Sequence, residues 1–422
     1  MTSVKRLSDL RVALGPGLLL AAAAIGVSHL VQATRAGADY GLTLLWAVLL
    51  VNLFKYPFLE YGPRYAAATG RSMLDGYQAL SRWALPVYFV FTVGTMFAIQ
   101  AALALVTANL AIAMTGLGGP PIGWAAGLLG ISVVILFGGR YEILDGAVKW
   151  IVGVLAVCTL VALVAALVHG PAGDWQRGAP GPLWSATGIA FVIALMGWMP
   201  IPIDAAAWHS LWTLARARQT GRAPGLAQAR LDFNIGYIGT CALAVAFLLL
   251  GALVMYATGT SFAASGAGFA EQLIGLYTQT LGDWAWPIIA GCAFTAMFST
   301  LLTVLDAHPR VMRHMIGQFA GRASLAEHVG LYRGSLVAVP ACSLAVLYAL
   351  GARFTLMIDL ATTLSFLTAP VLAWLNFSLV MSDQVPPAAR PGPAMRGLSW
   401  AGLVFLSGFA LVYGAWRVSG WV

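Results

Sequence analysis

Ala21-Ala22-Ala23-Ala24-Ile25-Gly26-Val27-Ser28-His29-Leu30-Val31-Gln32-Ala33-Thr34-Arg35-Ala36-Gly37 is the stretch whose reading decides the fold. It lies inside the first apolar segment, which is long enough to enter a bilayer, and small residues dominate it. Gly26, Ser28, His29 and Gln32 fall near its middle, where polar groups are costly in hydrocarbon. A membrane helix with such a patch faces a cavity or is interrupted there. A second stretch has the same character: Leu195-Met196-Gly197-Trp198-Met199-Pro200-Ile201-Pro202-Ile203-Asp204. Pro200 and Pro202 cannot both sit in an unbroken helix, because each lacks a backbone donor. Broken helices in corresponding places of two halves point to a transporter's binding site. The expected substrate contacts are therefore Gly26, Val27, Ser28, His29 and Gln32 on the first break, and Met199, Pro200, Ile201, Pro202 and Asp204 on the second.

Composition sets the class. Hydrophobic residues make up 60% of the chain and charged residues 9%, with a mean hydropathy of +0.84. These values exclude an ordinary soluble domain and indicate a multi-span helical protein whose environment is the lipid bilayer. The 47 glycines suit close helix packing in lipid, with Gly123 and Gly127 as a GxxxG pair. The net charge of +8 does not imply a nucleic-acid partner, because the basic residues are scattered over loops. Cys158, Cys241, Cys292 and Cys342 lie in apolar segments and read as small core residues, without metal or disulfide spacing. Lys5, Arg6 and Arg11 precede an apolar run too long and too polar at its middle for a signal peptide.

A span needs ~20 largely apolar residues. Eleven are expected, at about 13–36, 42–63, 84–114, 121–138, 143–168, 185–214, 231–257, 284–307, 332–350, 354–381 and 398–416. Residues 268–281 carry Phe269, Leu273, Leu276 and Tyr277 on one side and suggest a short helix on the membrane surface. The proline-rich stretch 383–397 reads as a linker to a peripheral last span. The expected organisation is a transport core over 1–382, with repeats at about 13–168 and 185–381, followed by linker and peripheral helix at 383–422. With the N-terminus cytoplasmic, only Arg177, Arg353 and Arg417 among the loop arginines fall outside, in keeping with positive-inside bias. The location is then the cell (inner) membrane, multi-pass, and the chain is expected to act as a monomer.

Gly15-Pro16 opens the first span and Gly181-Pro182 the sixth. Five spans separate them, and an odd-numbered repeat must insert upside down. That is a five-plus-five inverted repeat.

Gly15-Pro16-Gly17, Ala36-Gly37-Ala38 and Leu45-Trp46 look like the first two spans of the Nramp metal transporters. Arg140-Tyr141-Glu142, Asp145-Gly146 and Val152-Gly153-Val154 are similar to the fifth span of that family. Trp208-His209-Ser210 resembles its sixth-span ending, and Ser299-Thr300-Leu301-Leu302-Thr303 its eighth span. The resemblance covers spans one to ten and implies an all-α, LeuT-type inverted-repeat membrane fold with helices 1 and 6 broken. It also carries departures. The family's first-span Asp-Pro-Gly-Asn is replaced by Gly26-Val27-Ser28-His29. Its sixth-span methionine and Pro-His fall on Pro202, Ile203 and Asp204, and Met199 stands three residues early. The principal metal ligands of the family are absent or displaced, so no resident metal site is expected.

Two half-helix N-termini near Ser28 and Ile203 would carry roughly half a positive charge each and suit an anion. The expected substrate is a small oxyanion, bicarbonate first; a bicarbonate-transporting branch resembles this family. Arg35 would draw anions into a vestibule. Anion uptake against an inside-negative potential needs a coupling cation. Na⁺ would sit between first-span carbonyls at Gly26 and the hydroxyls of Ser299, Thr300 and Thr303, with H⁺ as the other possible coupling ion. No cofactor beyond that ion is expected. Asp306 reads as a solvated cytoplasmic residue, Glu60–Arg64 and Asp145–Lys149 as i,i+4 ties, and Gln100 and Asn109 as pocket or bridging residues. The competing reading is a divalent-cation transporter for Mg²⁺ or Mn²⁺, with Asp204 as the remaining acid. A non-transporting membrane sensor is the third reading. No nucleophile–base set, phosphate loop or zinc motif is present, so no enzymatic activity is expected.

Overall fold

The computed structural model describes residues 15–138, 141–175, 181–259, 262–322, 325 and 327–418, with backbone alone for 141–152, 417 and 418. Lys5, Arg6, Arg11, Arg140 and Arg177 lie outside these residues. So do the side chains of Tyr141, Glu142, Asp145, Lys149, Val152 and Arg417. Among the described residues the chain is helical and has no strand.

The first apolar segment forms α1 (Pro16–Ala24), a bend at Ile25 and Gly26, a π-helical turn (Ser28–Ala33) and α2 (Thr34–Tyr40). The two arms differ in direction by 47°. Then follow α3 (Leu45–Thr69), α4 (Met73–Leu80), α5 (Ala84–Thr115), α6 (Pro121–Phe137) and α7 (Tyr141–His169). The second broken span is α8 (Ala186–Trp198) and α9 (Ala205–Thr220). The remainder is α10 (Leu226–Val254), α11 (Gly266–Leu281), α12 (Trp286–Phe319), α13 (Val329–Ala349), α14 (Phe354–Met381) and α15 (Pro393–Val418). A helix thus stands at each of the eleven expected positions.

Among the described residues six helices are long and apolar enough to cross a membrane, and the bent first pair makes a seventh. Of the four other expected spans, three fall short for identifiable reasons. α3 buries Lys55, Glu60 and Arg64. α6 has 17 residues, and each half of the sixth span is shorter still.

The broken spans sit at the centre. α10 packs along both arms of the first, α12 lies against α1 and α5, and α14 covers α8. Backbone meets backbone at two crossings. A Cβ on Gly17 would overlap the Asp232 carbonyl, and one on Gly251 would overlap the Thr34 carbonyl. Small residues therefore let α10 approach both arms. The expected Gly123/Gly127 pair does not do this: a Cβ there meets nothing nearer than Pro120 Cγ at 3.7 Å. The cysteines also divide, with Cys292 buried and Cys342 exposed, rather than all lying in the core. α11 buries Phe269, Leu273, Leu276 and Tyr277 as a single face. α15 begins at Pro393 and packs on α3 and α14, outside the broken spans.

Candidate transport site

The first break begins where the α1 ladder fails. Gly26 N–H bonds to Ala24 O instead of Ala22 O, and His29 N–H bonds to Gly26 O instead of Ile25 O. The carbonyls of Ala22 and Ile25 are left without helical donors, and buried carbonyls need partners. Thr300 on α12 supplies one: its Oγ1 lies 2.8 Å from Ala22 O, 3.3 Å from Ile25 O and 3.1 Å from its own Ala296 O. Ser299 beside it is buried, and its hydroxyl has no hydrogen-bond partner among the described residues. Thr303 is buried one turn further on.

The second break has a matching cause. Pro200 and Pro202 cannot donate to the carbonyls four residues earlier, so the last turn of α8 is short of donors. Lys55 on α3 fills the gap. Its Nζ donates to Met196 O and Gly197 O, each at 2.7 Å, and the residue is fully buried. The negative end of a half-helix thus holds an ammonium. Across the break, Asp204 stands at the N-cap of α9 without a capping hydrogen bond. Both carboxylate oxygens are buried. They face the N–H groups of Asp204 and Ala205 without reaching hydrogen-bond geometry, and the Asp204 charge interacts with that of Lys55.

Between the breaks lies a small cavity of about 20 Å³. Ala24, Val27 and Ser28 line it from the first span, Pro200, Ile201 and Pro202 from the sixth, and Thr300 from the eighth. That is room for about one water. Among its lining residues there is no carboxylate; the polar side-chain groups there are the Ser28 and Thr300 hydroxyls and the indoles of Trp198 and Trp208.

The structure brings some expected residues together and sends others elsewhere. Val27, Ser28, Pro200, Ile201, Pro202 and Thr300 meet at the cavity. Gly26 backs onto Thr300, and a Cβ there would lie 2.9 Å from Thr300 Cγ2. His29 turns away. Its Nε2 lies 2.9 Å from Thr240 O on α10 and its Nδ1 2.8 Å from Ser28 Oγ. Thr240 O only accepts, so Nε2 carries a proton. Ser28 has one hydroxyl proton for Ala24 O at 2.8 Å, Pro200 O at 3.2 Å and the His29 ring. Gln32 points to another face, donating to Asp359 Oδ1 at 3.1 Å on α14. Met199 is buried, and its bond to Pro200 is cis.

Ion pairs and caps tie the helices on both flanks of the site. On one side Arg35 reaches Asp359 at 3.1 Å and Asp39 at 3.5 Å, with its guanidinium 4.5 Å from the Phe191 ring centroid. On the other, Asp232 accepts from Gly15 N–H and Gly17 N–H at 3.0 and 2.6 Å, fixing the start of α1. Glu60 pairs with Arg64 at 2.7 Å and with Arg230 at 3.1 Å. Asp306 is not solvated as expected: it is 2% exposed and takes Arg310 Nε at 2.6 Å and Tyr332 O–H at 2.7 Å. Gln100 bridges to Leu301 O, while Asn109 bonds its own helix at Leu105 O.

Asp75 on α4 makes a further tie. Burial raises its carboxyl pKa, but hydrogen bonds from His314 at 2.7 Å and from Ser72 outweigh that and hold it at about 2. The sequence reading passed over Lys55, Asp232 and Asp359. Lys55 had a signal, since a charge inside a span is costly and marks function. Asp232 and Asp359 lie at helix positions that only their partners make significant.

Comparison with known proteins agrees with this geometry. The family model described as natural resistance-associated macrophage protein-like matches residues 17–414. An uncharacterized protein of Pasteurella multocida (strain Pm70) is 34% identical over 97% of this chain and 93% of its own. A divalent metal cation transporter, MntH, of Granulibacter bethesdensis is 24% identical over 86% of this chain and 80% of its own. A solved manganese transporter of Eremococcus coleocola superposes with a TM-score of 0.69 at 13% identity, covering 96% of this chain and 86% of that one. The broken-helix arrangement is the LeuT-type fold, and the chain belongs to the Nramp family, whose members are membrane transporters.

Proposed function

We propose that this secondary transporter carries a small monovalent oxyanion, bicarbonate foremost, coupled to Na⁺ by alternating access. The observation that supports it best is the wall of the central cavity: aliphatic side chains and prolines with two hydroxyls and two indoles, and no carboxylate among its lining residues, while the Lys55 ammonium stands at the adjoining end of α8. A transition-metal site wants carboxylate, imidazole or soft sulfur. Among the described residues no three His, Cys, Asp or Glu side chains stand close enough together to hold a metal ion, and the ring of His29 is engaged by the scaffold. The N-terminus of α9 adds a positive helix end.

The coupling cation has a natural seat in this reading. Ala22 O, Ile25 O and Ala296 O converge on Thr300 Oγ1, beside the unpartnered Ser299 hydroxyl. Oxygen ligands of this kind suit a hard cation. Coupling is required on energetic grounds, because each negative charge moved inward costs about 2.3 kcal/mol per 100 mV. In this reading the N-terminus is cytoplasmic, the membrane is the inner membrane, and the ten-helix core to residue 382 works as a monomer beside the peripheral 383–422.

One observation favours a second reading. Asp204 is a buried acid without a hydrogen-bond partner among the described residues, and the MntH relative is named for divalent metal. Under that reading Mg²⁺ or Mn²⁺ is carried. Proteoliposome uptake of radiolabelled bicarbonate, compared with Mn²⁺ and Mg²⁺ with and without a Na⁺ gradient, decides between them. Na⁺-dependent bicarbonate accumulation is expected; saturable Mn²⁺ uptake without it would establish the cation reading.

A further inference from the structure

Lys55 enters the transport scheme so far only as a positive charge behind the cavity, yet it is fully buried and bonded to the end of α8 at the second break. Burying an ammonium inside a membrane protein is expensive and is retained where it does work. Its Nζ touches two carbonyls, Met196 O and Gly197 O, each at 2.7 Å; the Asp204 carboxylate, the nearby acid at the same break, makes no ion pair with it and acts on it through charge alone. Two carbonyls and a carboxylate are a hard-oxygen set of the type that binds Mg²⁺, Ca²⁺ or Mn²⁺. Here a tethered cation occupies it instead.

We infer that Lys55 is a built-in substitute for a bound cation at the sixth-span break, and that it sets the sign of the ion the site accepts. With its ammonium in place, the carbonyl end of α8 has no free acceptors for a diffusible cation. Asp204 is offset, and the cavity in front keeps a positive background. Without it, the Met196 and Gly197 carbonyls lose their donor and, with Asp204 as the acid at the same break, recruit a cation. The role of Lys55 as a substitute cation stands on its contacts alone. Its role in selecting an anion rests on the bicarbonate reading.

The test compares Lys55→Met, of similar length and uncharged, with Lys55→Arg, which keeps the charge. Purified protein is titrated with Mn²⁺ and Mg²⁺ by calorimetry, its thermal midpoint is recorded, and bicarbonate uptake is measured in proteoliposomes. Lys55→Met should bind Mn²⁺ or Mg²⁺ at least tenfold more tightly than the unchanged protein, lose this gain when Asp204→Asn is added, and take up bicarbonate at least tenfold more slowly. Lys55→Arg should match the unchanged protein in cation binding. A mere structural brace would lower the thermal midpoint without creating cation affinity. A folded Lys55→Met protein with no gain in cation binding overturns the inference. If Lys55→Met does not fold, Asp204→Asn alone serves: removing the counter-charge should raise bicarbonate affinity severalfold, and unchanged affinity overturns the proposal. An unchanged protein that takes up no bicarbonate refutes the substrate reading, and the cation titration then decides on Lys55 by itself.

Discussion

Replacing Gly26 by Asp restores a first-span carboxylate at the break and sets charge against geometry. The position is tight: a Cβ would lie 2.9 Å from Thr300 Cγ2 and 3.1 Å from Thr300 Oγ1. Overpacking of this kind costs about 1–3 kcal/mol whatever the side chain's charge. The charge effect is separate. An Asp carboxylate roughly 4 Å from a bound anion, at an effective dielectric near 20, repels it by about 4 kcal/mol. That is about a thousandfold in affinity. Gly26→Asn carries nearly the same volume without the charge, and Gly26→Ala carries the Cβ alone. Uptake of labelled bicarbonate by the three variants, normalised to folded protein in the vesicles, separates the two effects. The packing cost should appear as less folded Asn and Ala protein; per folded molecule these two should take up bicarbonate alike, and the Asp variant should fall about a thousandfold below Asn. Equal uptake by the Asp and Asn variants would refute the placement of the anion at this break. A gain of Mn²⁺ uptake in the Asp variant alone would show that a single carboxylate moves the site back towards cations.

Thr300→Val with Ser299→Ala removes the hydroxyls at the α1 carbonyls, leaving Ala22 O and Ile25 O without this donor. The Na⁺ dependence of uptake should vanish, and full retention would place the cation elsewhere or make it a proton. Arg35→Gln breaks the α2–α14 tie to Asp359. The pair is partly exposed and worth about 1 kcal/mol or less, so labelling of a cysteine placed at Val27, in a background free of native cysteines, should quicken up to about fivefold; no change would mean that this pair does not hold the site shut. Asp75 is held at about 2 against an ordinary 3.8. A depressed carboxyl stabilises the fold above its unfolded pKa and loses that contribution as pH falls through the folded one. The thermal midpoint should therefore drop between about pH 4 and pH 2 more steeply in the native protein than in Asp75→Asn. Parallel curves would refute the role given to the His314–Asp75 contact.

The class of the molecule and the place of its centre are legible in the residues alone. Apolar runs of bilayer length can only be helices, since lipid offers no partner for an open backbone. Two prolines at 200 and 202, and a polar patch at 26–32, cannot remain regular helix at membrane depth. Both breaks appear within a residue or two of their expected positions. The tertiary structure alone decided which way each side chain of a broken segment turns. Ser28, His29 and Gln32 lie within five residues, yet they face the cavity, α10 and α14 respectively. In a π-turn between bent arms, helical periodicity no longer assigns a face. The same holds for Lys55 and Asp232, which serve the ends of half-helices remote in sequence. A freed carbonyl or N–H at a helix end must find a partner, and the sequence shows the need. Which residue, 141 or 217 positions away, meets it is set by packing: the Gly17 crossing brings α1 onto Asp232, and the long Lys55 side chain reaches the end of α8 from α3.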